Sequence, residues 1–295
     1  MAGRKRAVLI AGPTASGKSA LALRRARDLG GIVVNADAMQ VYGGLRVLTA
    51  RPSERDMAAA PHRLYGAVDP AQRFSTGAWA AAAAAIVAAA GEQPLVFVGG
   101  TGLYFEALER GFAAVPAVPP EAVAAAEAEL AGLDAEGRAR LLATRDPAMA
   151  ARLRAPDPQR VARALAVFAA TGRSLAEFQD SPHGGLLDGF DVERLVLAPD
   201  RDVLRRRIAD RFVAMLEGGA AAEVQALLAR RLDPRLPAMK AIGVREIAAW
   251  RDGLMSQQEA AERAIIATRQ YAKRQRTWFR GRMADWRWVD PDTLS

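Results

Sequence analysis

Residues 12–19 read Gly12-Pro13-Thr14-Ala15-Ser16-Gly17-Lys18-Ser19, an uninterrupted G-x-x-x-x-G-K-S pattern. Its chemistry is phosphate binding. The glycines let backbone N–H groups turn inward as an anion nest, and a helix opening behind them adds a partial positive charge. Lys18 contributes a full charge on a mobile stem, and the Ser19 hydroxyl is placed to reach a Mg²⁺ ion. Such a loop binds a diphosphate or a triphosphate; the motif alone does not say which.

What happens to the phosphates depends on the other reactive groups. An ATP-using kinase or ATPase carries a carboxylate at the end of a later apolar strand, to hold the metal. Here that strand runs into Val98-Gly99-Gly100-Thr101-Gly102-Leu103-Tyr104, with no acid. The nearest carboxylate of interest is Asp37, in Asn35-Ala36-Asp37-Ala38-Met39-Gln40-Val41-Tyr42. A phosphate loop, a lone carboxylate able to act as a base and a neutral hydroxyl donor suit displacement of diphosphate better than phosphoryl transfer.

These residues need a scaffold that brings strand ends together. Ala7–Ala11, Gly31–Asn35 and Pro94–Val98 are short apolar runs with the composition of buried parallel strands, and Arg194–Ala198 is a fourth. Lys18–Leu29 and Thr76–Ala90 have helical composition between them. Strands alternating with helices give a parallel sheet with ligands at its carboxyl edge. Adjacent strand ends would then hold Asp37 and Thr101 over the loop. From Pro116 to Gln179 the pattern is helical and charged, behind a hinge of Pro116, Pro119 and Pro120. The reading is an α/β fold: a P-loop NTPase-like parallel-sheet core over 1–115 and 190–295, an inserted helical subdomain over 116–189, and a helical C-terminal region.

Composition narrows the classes. The 295 residues suffice for a substantial core. The net charge of +8 points to a polyanionic partner, although arginine and alanine abundance also follows from a GC-rich genome. There is no cysteine, which excludes disulfides and thiolate metal sites. No run is long and apolar enough to cross a bilayer, so no membrane partner is expected and the cytoplasm is the expected location. Nothing demands more than a monomer.

The motifs taken together resemble the tRNA dimethylallyltransferase family. The resemblance runs from the phosphate loop through Asp37…Gln40…Tyr42, Thr49-Ala-Arg51-Pro52, Ala60-Pro-His62 and Gly99-Gly-Thr101-Gly-Leu-Tyr104. It continues through Asp157-Pro-Gln159-Arg160…Arg163-Ala-Leu165, Arg207…Arg211…Met215 and Lys240-Ala-Ile-Gly243, and ends in Thr268–Arg280. It implies transfer of a dimethylallyl group from dimethylallyl diphosphate to the N6 amine of the adenosine 3′ to the anticodon. Asp37 would take the amine proton, and Thr101 would donate to the bridging oxygen. Lys18, Arg211, the loop amides and Mg²⁺ held partly by Ser19 would stabilise the departing diphosphate. The resemblance also implies contacts with the tRNA anticodon stem-loop. They would come from Asp37, Ala38, Met39, Gln40 and Thr101 at the base, from Gln159, Arg160, Val161, Ala162 and Arg163 in the insertion, and from Lys240, Ala241, Ile242, Gly243, Val244 and Arg245. Ala38, Gly43, Leu48, Val123 and Val244 depart from residues usual in the family.

Arg269, Lys273, Arg276 and Arg280 recur at i, i+4, i+7 and i+11, one stripe of a helix. RNA-backbone contact and a solvated face both explain such a stripe. Tyr271, Trp278 and Phe279 lie off it as anchors. His62 and His183 are too far apart to suggest a metal site, and Trp250, Trp286 and Trp288 read as packing residues. Three other functions share part of these features: a prenyltransferase acting on free adenine nucleotides, a small-molecule kinase, and a non-catalytic RNA-binding protein. The insertion and basic helix argue against the first, the missing strand-end carboxylate against the second, and the complete phosphate loop against the third.

Overall fold

A computed structural model describes residues 4–113, 115–180 and 184–293; His183 lies outside them. In chain order the elements begin with β1 (Arg6–Ala11), α1 (Lys18–Leu29), β2 (Ile32–Asn35), α2 (Glu54–Ala59) and β3 (His62–Arg63). Then come α3 (Thr76–Ala89), β4 (Leu95–Gly99) and α4 (Gly102–Arg110). Five helices follow: α5 (Pro120–Glu129), α6 (Ala135–Arg145), α7 (Pro147–Arg152), α8 (Pro158–Thr171) and α9 (Leu175–Asp180). The chain returns through β5 (Asp191–Leu197), α10 (Arg201–Glu217), α11 (Ala220–Ala229), α12 (Val244–Arg251), α13 (Gln257–Arg282) and β6 (Arg287–Val289).

The strands form one parallel sheet in the order β3-β2-β4-β1-β5-β6. Strand alternation sends Ala7, Leu9 and Ala11 to one face, where Phe97, Trp79, Tyr104, Phe105 and Phe279 cover them. Val8 and Ile10 go to the other face, against Leu21, Ala22 and Ala26 of α1. Both faces are buried, which is why these strands read as continuous apolar runs. The register pairs Ala11 with Gly99 and Asn35 with Val98, so the carboxyl ends of β1, β4 and β2 stand side by side. A third apolar cluster, including Leu45, Leu48, Phe212, Val224, Val244, Ile247 and Ala264, joins α10 to α13.

Two strands escaped the sequence reading. β3 has two residues, His62 and Arg63, and β6 has three. Both sit at sheet edges, where neither a long apolar run nor burial on both faces is required. His62 is structural: its Nδ1 lies 2.8 Å from the Ala60 carbonyl and its ring packs on Tyr65.

The chain divides into two compact units, Met1–Glu109 with Gly185–Ser295, and Arg110–Gly184. The second unit therefore begins and ends about half a dozen residues before the expected 116 and 189. Three of its helices, α6, α7 and α8, start on aspartates: the Asp134, Asp146 and Asp157 side chains each cap an N-terminus. Proline follows directly at the start of α7 and α8, where its missing N–H costs nothing. Val161, Ala162 and Leu165 of α8 pack with Leu130, Leu142 and Met149 as this unit's own core. No single helix among the described residues is long and apolar enough to cross a membrane.

Candidate active site

The loop after β1 has the shape its sequence demands. Ala15 (φ 62) and Gly17 (φ 85) take left-handed backbone on either side of Ser16, an alternation that turns successive N–H groups toward one point. α1 begins immediately behind, at Lys18. The Lys18 side chain is buried and its Nζ donates to the Pro13 carbonyl at 3.2 Å. Ser19 is exposed on the first helical turn, at the edge of the same cavity.

Asp37 follows β2 in a turn fixed by its neighbours. The buried Asn35 amide accepts from the Asp37 N–H at 2.9 Å and donates to the Asp37 and Leu64 carbonyls, each at 3.0 Å. Trp79 holds Asn35 in turn, its Nε1 donating to the Asn35 carbonyl at 2.9 Å. Asp37 Oδ1 accepts from the Met39 N–H at 2.9 Å and the Gln40 N–H at 3.4 Å. One carboxylate oxygen is thus spent on the turn, and Oδ2 has no hydrogen-bond partner among the described residues.

Thr101 reaches the same turn from β4. Its Oγ1 accepts from the Ala38 N–H at 2.9 Å, so the hydroxyl proton is left to donate elsewhere. The approach is possible because residue 99 is glycine: a Cβ there would stand 1.9 Å from the Ala36 carbonyl oxygen. The third connection comes from far along the chain. Gln275, buried in the middle of α13, accepts from the Thr14 N–H with Oε1 and donates to the Gly100 carbonyl with Nε2, both at 2.9 Å. One side chain ties the phosphate loop to the Gly100-Thr101 loop. Neither Asn35 nor Gln275 was singled out from sequence as a site residue.

Lys18, Ser19, Asp37 and Arg211 line one cavity of about 330 Å³. Leu48, Ile208, Phe212, Met215, Ala241 and Ile242 form its apolar side, and Tyr271 and Arg274 of α13 complete it. Tyr271, expected only as an anchor, is therefore a lining residue. Burial raises its phenol pKa, and the Asp37 charge raises it further, so it remains a neutral hydroxyl. Burial also lowers Arg211, against the stabilising charge of Asp37. Lys18 is brought down to about 8: burial is the main cause, Asp37 opposes it and Arg211 adds to it.

The protonated form of Lys18 is the one that would attract a diphosphate, and its free-state pKa lies below the ordinary 10.5. Affinity for inorganic pyrophosphate should be greatest below pH 8 and weaken above it, by up to about tenfold per pH unit. Between about 8 and 10.5 the unfolded chain binds more protons than the folded one, so this group's contribution to stability rises with pH. Calorimetric titration across pH 6.5–9.5 checks the affinity. Lys18→Arg should remove the dependence that survives correction for the ligand's own titration; an unchanged profile would assign the dependence elsewhere.

A sequence model of the IPP transferase family matches residues 40–282. The chain belongs to this family. A tRNA dimethylallyltransferase of Methylobacterium sp. (strain 4-46) is 55% identical over 296 residues, covering 99% of this chain and 96% of that protein. Among solved structures, the full-length tRNA isopentenylpyrophosphate transferase of Bacillus halodurans is 31% identical with a TM-score of 0.68, covering 97% of this chain and 90% of that one. A eukaryotic dimethylallyltransferase, described as acting on tRNA, is 26% identical with a TM-score of 0.81, covering 97% of this chain and 74% of that one.

The contact residues implied by the family resemblance divide by exposure. In the second unit Gln159, Arg160 and Arg163 are exposed, whereas Val161 and Ala162 are buried in its core and have no side-chain surface for RNA. In the first unit Lys240 and Arg245 are exposed, and Ile242 lines the cavity. Ala241 and Val244 are buried, and Gly243 (φ 99) forms the turn into α12 against Leu48 and Phe212. Val244 and Gly243 shape the segment without presenting side chains to a ligand, whereas Ala241 faces the cavity beside Ile242. The Gln40 amide donates to the Thr49 and Ala50 carbonyls at 2.8 and 3.0 Å, so it braces the cavity wall as well as facing the site.

Proposed function

We propose that this member of the family transfers a dimethylallyl group from dimethylallyl diphosphate to the N6 amine of the adenosine 3′ to a tRNA anticodon, releasing diphosphate. The observation that carries the reading is a carboxylate oxygen and a hydroxyl proton, both unspent, on the Asp37–Thr101 pair beside a complete phosphate loop. The adenine must leave its stack to reach this pair. As the N6 lone pair attacks the allylic carbon, the carbon–oxygen bond to diphosphate breaks and the amine proton passes to Asp37 Oδ2. Thr101 donates to the oxygen that leaves. The loop amides, Lys18 and Arg211 stabilise the charge it gains. Ile208, Phe212, Met215 and Ala241 supply apolar cover for a five-carbon tail.

No cluster of three metal-ligating side chains occurs among the described residues. A Mg²⁺ ion would keep most of its waters and rest largely on phosphate oxygens, and Ser19 would be its protein ligand. Magnesium would add charge neutralisation to the diphosphate. Gln159, Arg160 and Arg163 of the insertion, with Lys240 and Arg245, are the side chains assigned to the anticodon stem-loop. The cytoplasm is the location proposed for the reaction, in keeping with an RNA acceptor. The test is transfer of radiolabelled dimethylallyl, with Mg²⁺, to unmodified tRNA and to AMP in parallel. Label on tRNA alone is expected. Label on AMP alone would overturn the acceptor assignment, and ATP consumption without label transfer would overturn the reaction.

A further inference from the structure

α10 and α13 pack through Leu204, Ile208 and Ala272, and above that contact lies a groove of about 570 Å³. Its walls carry Arg201 and Arg205 from α10, and Arg269, Lys273, Arg276 and Arg280 from α13. Sequence spacing revealed the stripe on α13; only the packing shows that a second helix faces it with two more cations. Arg205 is 3.4 Å from Asp202, and the other five form no salt bridge among the described residues.

The arrangement works against the stability of its own helices. Arg269 with Lys273 and Arg276 with Arg280 are like-charge pairs at i, i+4, which are unfavourable on a helix surface. Arg201 is the first residue of α10, where the helix dipole disfavours a cation. Burial lowers the pKa of Arg276, the Arg280 and Arg201 charges add to this, and Asp200 opposes it. Positions that break local rules together around a concavity mark a ligand site. The stripe extends about 16 Å along α13 at 1.5 Å per residue, long enough for several consecutive phosphates.

Position relates the groove to the reaction. Thr268, Tyr271 and Arg274 of α13 line the active-site cavity, while Arg269, Lys273 and Arg276 line the groove, and Ile208 lines both. The lining is largely cationic and aliphatic, with no aromatic ring among the described residues, so what it matches is phosphate charge. We propose that this two-helix groove grips the phosphodiester backbone of the RNA acceptor beyond the reacting nucleotide, without reading its bases. This rests on the RNA-acceptor reading above.

The experiment compares wild type with Lys273→Glu/Arg276→Glu and the milder Lys273→Ala/Arg276→Ala. Affinities for unmodified tRNA, for a tRNA with altered anticodon-loop bases and for inorganic pyrophosphate are measured over a range of salt. Loss of two phosphate contacts should lower the slope of log affinity against log salt by about 2, equally for both RNAs. Affinity for tRNA should fall by about tenfold or more near 0.1 M salt, with kcat at saturating tRNA within about threefold and pyrophosphate binding unchanged. Melting temperatures at or above that of wild type show that both variants fold. Unchanged slope and affinity in the alanine pair would overturn the proposal, as would loss of anionic-vesicle binding with tRNA affinity intact. A wild type that binds tRNA but transfers nothing defeats the function reading alone, since the salt slopes still decide the groove.

Discussion

Asp37→Asn is expected to lower the single-turnover rate of prenyl transfer by about 10²–10⁴-fold, the range a positioned general base supplies. The substitution is chosen for what it keeps. Asparagine retains an Oδ1 that can accept from the Met39 and Gln40 N–H groups, so the turn after β2 should persist. What it removes is the second oxygen, the one without a partner. Binding of tRNA and the melting temperature should therefore stay near wild type while turnover collapses. The exocyclic amine is a poor nucleophile because its lone pair is delocalised into the ring, so losing its proton to water instead is a slow alternative. A variant turning over within tenfold of wild type would sink the base assignment. If turnover is lost together with the fold, Asn35 would be the residue to question, because it holds the Asp37 backbone from both sides.

The juxtaposition tested there was legible in sequence for a physical reason. Parallel strands place their carboxyl ends in a row, so residues just past β2 and β4 had to meet beside the loop after β1. α1 was equally legible, because Gly17 and Gly30 bracket it in left-handed conformation. Three kinds of feature were not. Short edge strands such as His62–Arg63 carry no period-two signal. Contiguous contact segments overstate their reach: a helix turns 100° per residue, so Gln159–Arg163 cannot all face one ligand, and Val161 and Ala162 turn into the core. Tertiary ties are invisible in a different way. Gln275 sits among Arg274 and Arg276 in a strongly basic run, and only the packed fold shows it buried between two loops.

That tie carries the second large effect. Gly100→Ala should reduce transfer by about 10²-fold or more, because a Cβ at that position would lie 2.1 Å from Gln275 Nε2. The same Cβ would be 3.4 Å from Asp37 Oδ2, an ordinary contact, so the damage should run through Gln275. Gln275→Ala should produce a similar loss by leaving the Thr14 N–H and the Gly100 carbonyl without partners, at about 1–3 kcal/mol of stability each. The decisive variant is the double one. With the glutamine gone the alanine at 100 has room, so Gly100→Ala/Gln275→Ala should be no worse than Gln275→Ala alone, a strong non-additivity. Gln275→Glu divides the tie further. One carboxylate oxygen can still accept from Thr14, while the other would face the Gly100 carbonyl oxygen and repel it. If Gln275 positions Thr101 for the departing oxygen, the glutamate variant should keep its affinity for pyrophosphate and lose kcat. If the residue serves only the phosphate loop, Gln275→Glu should turn over like wild type.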